Sequence, residues 1–244
     1  MQVWPVALGL SVVGSAGGLL VASTLLLLQH DVRSRVVPWL VSYAVGTLLG
    51  VALLGLVPQA LASLSPTPAL GTLLSGILTF FVLEKLVLWR HCHDEGTCAV
   101  HRSTATLVIV GDAVHTFVDG AVIAAAALTS PGLGLAAALA VIAHEIPQEA
   151  GDFAILLASG LSRSRALLLN ATSALGGVLG AAMMLLSGSH APAIVPFVLA
   201  FAAGNFLYVA MADLIPNLHR GQLDQNAVRQ VILIGLGILT VVAM

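Results

Sequence analysis

Eight apolar runs, each close to the ~20 residues an α-helix needs to cross a bilayer, occupy most of this chain. They cover residues 3–28, 36–59, 69–89, 104–128, 133–161, 166–186, 193–216 and 227–243. In hydrocarbon every backbone polar group must find its partner inside the segment, so runs of this kind fold as spanning helices. The expected class is an all-α polytopic membrane protein, with residues 1–244 forming a single transmembrane domain. Composition excludes the soluble alternative. Only 8% of residues are charged and 59% are hydrophobic, against about a quarter charged in a soluble domain. Nine Lys and Arg residues in all leave no basic patch for nucleic acid. The first segment, MQVWPVALGLSVVGSAGG, lacks the basic start of a cleaved leader and reads as the first span. Two cysteines, Cys92 and Cys98, do not make a disulfide framework.

Charge gives the expected orientation. Arg33, Arg35, Arg90, Arg102, Arg163, Arg165, Arg220 and Arg229 lie in or beside the odd-numbered loops, and Lys85 sits near the end of span 3 that leads into one. The even-numbered loops have none. The positive-inside rule then places the odd loops in the cytoplasm and both termini outside; the expected location is a cell's plasma (inner) membrane, which charge alone does not select. Gly46 with Gly50, and Gly176 with Gly180, have the GxxxG spacing that lets helices approach closely in lipid.

Six of the eleven acidic residues fall well inside the runs: Asp112, Asp119, Glu145, Glu149, Asp152 and Asp213. A carboxylate at that depth costs about 2.5–3.5 kcal/mol on the insertion scale, and no Lys or Arg is available there to pair with it. What remains is protonation, a wet cavity or a bound cation. On a helix of ~100° per residue, Asp112, His115, Thr116 and Asp119 share an arc of roughly 100°. His144, Glu145, Gln148, Glu149 and Asp152 share one of roughly 140°. Two such stripes escape lipid by facing each other. A lone His or Asp has a plainer use as an interhelical hydrogen-bonding group. As a set, His115, Asp119, His144 and Glu145 offer imidazole and carboxylate, which suit Zn²⁺, Fe²⁺, Mn²⁺ or Co²⁺. Asp112, Asp152 and Asp213 are candidates for ligation, for supporting a ligand or for carrying protons. Pro147 removes one helix hydrogen bond, which predicts irregular backbone lining a cavity at that point.

The motifs HTFVDG (residues 115–120) and HEIPQE (residues 144–149) resemble the paired signatures of the ZIP family of metal transporters. FFVLEK in span 3, EAGDFAIL after the second motif and AAGNFLYVAMADLIP in span 7 are similar to the same family, nearest its HExPHE branch. The resemblance implies an eight-helix bundle with a binuclear or near-binuclear site between helices 4 and 5. It also implies a homodimer, and movement of Zn²⁺, or Fe²⁺, Mn²⁺ or Cd²⁺, toward the cytoplasm by sliding one bundle against another. Motif position adds Thr116, Gln148 and Glu149 to the site. The chain departs from the family pattern at Thr116, often Asn, at Gln148, where the branch has His, and at LGLVPQ in span 2, with Gly55 and Gln59 at the polar positions. Residues 90–102 form a cytoplasmic loop in which His91, Cys92, His93, Cys98 and His101 are candidate metal donors.

Two other functions share parts of this pattern. A passive metal-selective channel needs the same site without a moving bundle. An intramembrane metalloprotease needs HExxH with both His residues on zinc; here Gln148 takes the second place, so no catalytic residue is assigned. Divalent ions and the bilayer are the expected partners.

Overall fold

The computed structural model describes residues 3–27, 30–89, 99–158, 160–187, 190–219 and 226–244. Among these described residues, eight helical elements follow the eight apolar runs. They are α1 (Val3–Leu27), α2 (His30–Gly50, continued by a π-helical turn Val51–Leu56 and Val57–Ser63), α3 (Pro66–Trp89) and α4 (Ala99–Thr129). After these come α5 (Pro131–Ala158), α6 (Arg163–Ser173 and Leu175–Leu186), α7 (Ala191–Tyr208, a π-helical turn Val209–Leu214, and Ile215–His219) and α8 (Ala227–Val242). Six contain stretches long and apolar enough to cross a membrane by length and composition. The apolar part of α5 ends at Ile146, where Glu149 and Asp152 follow, and α8 is 16 residues long. The outer surface is leucine-rich: Leu20, Leu53, Leu78, Leu168, Leu179 and Leu239 are all exposed, as a lipid-facing belt requires.

Glycine decides which helices touch. In lipid there is no hydrophobic force between helices, so close backbone approach carries the packing. Both GxxxG pairs lie at such crossings. A Cβ on Gly46 would stand 2.1 Å from the Ile234 carbonyl oxygen of α8, and one on Gly180 would stand 1.9 Å from that of Phe117 on α4. Gly76 and Gly204 do the same for α3 against α7, at 2.2 and 2.0 Å from backbone oxygens. These contacts sort the helices into two sets. Helices α1, α4, α5 and α6 pack on one another, as do α2, α3, α7 and α8, and the sets meet mainly where α2 lies on α5 and α7 on α4. A cavity of about 430 Å³ opens on the seam between α2, α5 and α8, lined by Gly55, Gln59, Leu133 and Met244 among others.

Helix α4 runs through the middle. Val122, Ile123, Ala124, Ala125 and Ala126 are each 0% exposed, and five successive residues cover the whole helix circumference. At the level of the polar stripe Asp112, His115, Thr116 and Asp119 are buried by protein, while Val110 and Val114 on the opposite face are exposed. The backbone irregularity expected at Pro147 lies elsewhere. Helix α5 continues through Pro147 without a break, and the wide turns are in α2 and α7. Each of these precedes a proline: the Val57 N–H bonds the Ala52 oxygen before Pro58, and the Ile215 N–H bonds the Ala210 oxygen before Pro216. An i→i−5 turn widens the helix where a proline ring would otherwise strike the carbonyl of the preceding turn.

Candidate metal centre

The two polar stripes face each other across the α4–α5 contact. His115 Nε2 and His144 Nε2 are 3.1 Å apart. Asp119 Oδ2 lies 3.4 Å from the first and 3.2 Å from the second, and Glu145 Oε1 is 3.8 Å from His115 Nε2. One donor atom from each of the four residues falls within 4.8 Å of all the others. His144 Nδ1–H donates to the Ala140 carbonyl at 2.9 Å. That bond fixes the tautomer and turns the Nε2 lone pair toward the cluster. Phe80 and Phe206 wall the group, with ring centroids 5.2 Å from His115 and 5.7 Å from His144. Gly18 of α1 closes the side next to Glu145, since a Cβ there would lie 2.4 Å from the Glu145 Cβ.

A second group shares Glu145. Asp112, Glu145 and Glu149 also bring one oxygen each within 4.8 Å of one another. It lies nearer the end of the bundle that carries Arg163 and Arg165, because Asp112 precedes Asp119 on α4 by about two helical turns. The first group offers two imidazoles and two carboxylates, a set for borderline ions such as Zn²⁺. The second offers oxygen alone and suits harder ions.

The oxygens of Asp119 and Glu145 decide what the first group can hold. All four are buried and accept no hydrogen bond from protein. Unpaired buried carboxylates are strongly unfavourable. His144, with its Nδ1–H on Ala140, turns a lone pair to the cluster, and a cation among the two imidazoles and two carboxylates would partner all four groups at once.

The remaining expected residues fall in different places. Gln148 Nε2 donates to Asp112 Oδ1 at 3.3 Å, so its amide is engaged on the second group, and the HExxH reading finds no second imidazole at that turn. Thr116 Oγ1 donates back to the Asp112 carbonyl at 2.7 Å. Asp152 is half-buried on α5, beyond Glu149 and in neither group. Asp213 lies in the π-helical turn of α7. His91, Cys92, His93 and Cys98 lie outside the described residues, and His101 is described only as backbone in the first turn of α4.

Two residues of α6 were not anticipated. Asn170 Nδ2 donates to Glu149 Oε2 at 2.7 Å, and the Ser173 hydroxyl hydrogen-bonds Asp112 Oδ2. Both are polar residues three apart in an apolar run, a weaker form of the signal that exposed the α4 and α5 stripes.

A sequence-family model described as ZIP Zinc transporter matches residues 90–244. The chain belongs to the ZIP zinc transporter family. It is 35% identical over 229 residues to zinc transporter ZIP13 of Pongo abelii, covering 86% of this chain and 68% of that protein. Against zinc transporter ZIP13 of Homo sapiens the identity is 32% over 267 residues, with 86% and 72% covered. Zinc transporter ZIP4 of Mus musculus is 49% identical over 110 residues, 45% of this chain and 16% of the relative. The helical bundle and the two motifs thus agree with a ZIP-type integral membrane transporter.

Proposed function

We propose that this ZIP protein carries Zn²⁺, and with lower preference Fe²⁺, Mn²⁺ or Cd²⁺, toward the cytoplasm by alternating access. His115, Asp119, His144 and Glu145 bind the ion first. The single observation that carries this reading is the set of four buried, unpartnered oxygens of Asp119 and Glu145 beside two imidazole Nε2 atoms. The ion's charge replaces the missing partners, and its hydration shell is exchanged for nitrogen and oxygen donors. Asp112, Glu149 and Gln148 form the next station toward the basic loops.

Sliding of one helix set against the other is supported by where the ligands sit. Every one is on α4 or α5, which belong to the same set, so the site travels as a unit. The seam at α2–α5, where the two sets meet, holds a cavity beside Gly55 and Leu133. With the odd loops cytoplasmic, as the arginine distribution favours, the second station lies on the exit side. Residues 90–98 and the first turn of α4 would then receive the ion, with His91, Cys92, His93, Cys98 and His101 as weak donors. A plasma-membrane location and a homodimer belong to the same proposal.

Uptake into proteoliposomes tests it. Purified protein should move Zn²⁺ faster than Mn²⁺, and His115→Ala or His144→Ala should lower uptake by about tenfold or more, equivalent to ~1.4 kcal/mol in affinity. Unchanged uptake in both variants rejects the site. Flux that rises linearly with concentration and voltage, without saturation or trans-stimulation, points instead to a channel using the same ligands.

A further inference from the structure

The acids of the two groups differ in one respect that their positions in sequence do not reveal. No oxygen of Asp119 or Glu145 is in a hydrogen bond, although imidazole nitrogens stand nearby. Asp112 has two donors, Gln148 and Ser173, and Glu149 has one, Asn170. Two of these three donors come from α6, and neither belongs to the metal-site motifs. Asn170 is 3% exposed and Ser173 2% exposed, so neither is an incidental surface contact.

Helix α6 is built to bring them there. Directly after Ser173 its backbone runs against α4. A Cβ on Gly176 would be 2.5 Å from the Ala113 carbonyl oxygen, and one on Gly120 would be 1.8 Å from that of Gly177. Only this approach lets a side chain as short as serine touch Asp112. The helix is interrupted at Ala174, between Arg163–Ser173 and Leu175–Leu186. The Ser173 hydroxyl also lies 2.7 Å from the Asn170 carbonyl. It has a single proton, and an ionised carboxylate is the stronger acceptor, so the bond goes to Asp112 whenever that acid is charged.

We propose that Asn170 and Ser173 are positioning residues that hold Glu149 and Asp112 toward Glu145, making the three-carboxylate group a second and weaker ion station. The inference rests on the metal-transport reading of the cluster. The physical reason for the weaker affinity is that in an empty second station only the shared Glu145 lacks a hydrogen bond, Asp112 and Glu149 keeping theirs, whereas in an empty first station both acids lack one. An ion therefore gains less by entering the second station and leaves it more readily. Because α6 packs with α4 and α5, both donors accompany the acids in every transport state.

Titration of the purified full chain with Zn²⁺ and Cd²⁺ in detergent micelles, followed by calorimetry and metal analysis, tests this. The parent should bind two ions, one tightly and one weakly. Ser173→Ala and Asn170→Ala, which act on different acids, should each weaken the second step by about 10–100-fold, the usual effect of removing a ligand's supporting partner. The first step should stay within about twofold of the parent. Ser173→Thr, which keeps the hydroxyl, should restore the second step. A merely structural role would lower both steps together, and that result overturns the proposal. So does a parent that binds one ion, or a second step unchanged in both alanine variants. His115→Ala separates the two readings: it should abolish the tight step, and if it leaves both steps intact the metal-site reading itself fails. Should Ser173→Ala not yield folded protein, as judged by gel filtration, Asn170→Ala decides alone.

Discussion

Asp119 shows what a single residue does here. It is 0% exposed, neither oxygen is in a hydrogen bond, and two imidazole nitrogens stand 3.4 and 3.2 Å from its Oδ2. In the ion-free protein it is a liability; with an ion bound it is a ligand. Asp119→Asn should therefore stabilise the ion-free protein, by about 1–3 kcal/mol, because a neutral amide can donate to an imidazole lone pair and is cheaper to bury. The same variant should lose most of the thermal stabilisation that Zn²⁺ gives the parent. Melting curves in detergent with and without Zn²⁺ check both halves. A variant that melts lower than the parent without metal, or that is stabilised equally by it, contradicts the assignment. The residue type and its burial were legible in the sequence, since an acid in an apolar run with no base nearby has few options. That its oxygens are in no hydrogen bond was not, because donors come from helices distant in the chain.

At the scale of the element, helix contacts depend on the absence of side chains. Gly120→Ala would drive a methyl to 1.8 Å from a backbone oxygen of α6, whereas Gly71 has nothing within 4 Å. Backbone cannot yield as a side-chain tip does, and overpacking typically costs about 1–3 kcal/mol or more. The expectation is a sharp loss of monodisperse protein for Gly120→Ala and near-parent yield for Gly71→Ala, read by gel filtration of detergent extracts. Gly18 is a subtler case. It carries no ligand, yet its missing Cβ makes room for Glu145. Gly18→Ala should weaken Zn²⁺ binding by about tenfold through displacement of a shared ligand by an ångström or less, while the protein still folds. Equal Zn²⁺ affinity in Gly18→Ala and parent would show that Glu145 adjusts freely.

For the whole molecule, the issue is whether the two helix sets move. Gly55 of α2 and Leu133 of α5 face each other across the seam, with a Gly55 Cβ placed 2.7 Å from the Leu133 side chain. A Gly55→Cys, Leu133→Cys pair, in a background with Cys92 and Cys98 replaced by Ser, should cross-link under oxidation. The cross-linked protein should still bind Zn²⁺ yet lose flux, and reduction should restore it. Flux that persists through the cross-link would favour a passive pore, since a fixed conduction path needs no sliding.

Hydrophobic run length, the side on which arginines fall and the two polar stripes are local or periodic properties, so the chain written out as letters already determined an eight-helix membrane bundle with acids converging between helices 4 and 5. Pro147 misled because a helix tolerates one missing hydrogen bond, whereas the widened turns before Pro58 and Pro216 depend on how α2 and α7 pack. Only the tertiary structure decided that Glu145 belongs to both groups, that α6 supplies donors to one group and none to the other, and that glycines sort the helices into two sets. Those are distances between residues far apart in the chain, set by backbone approach, and no periodicity along one helix encodes them.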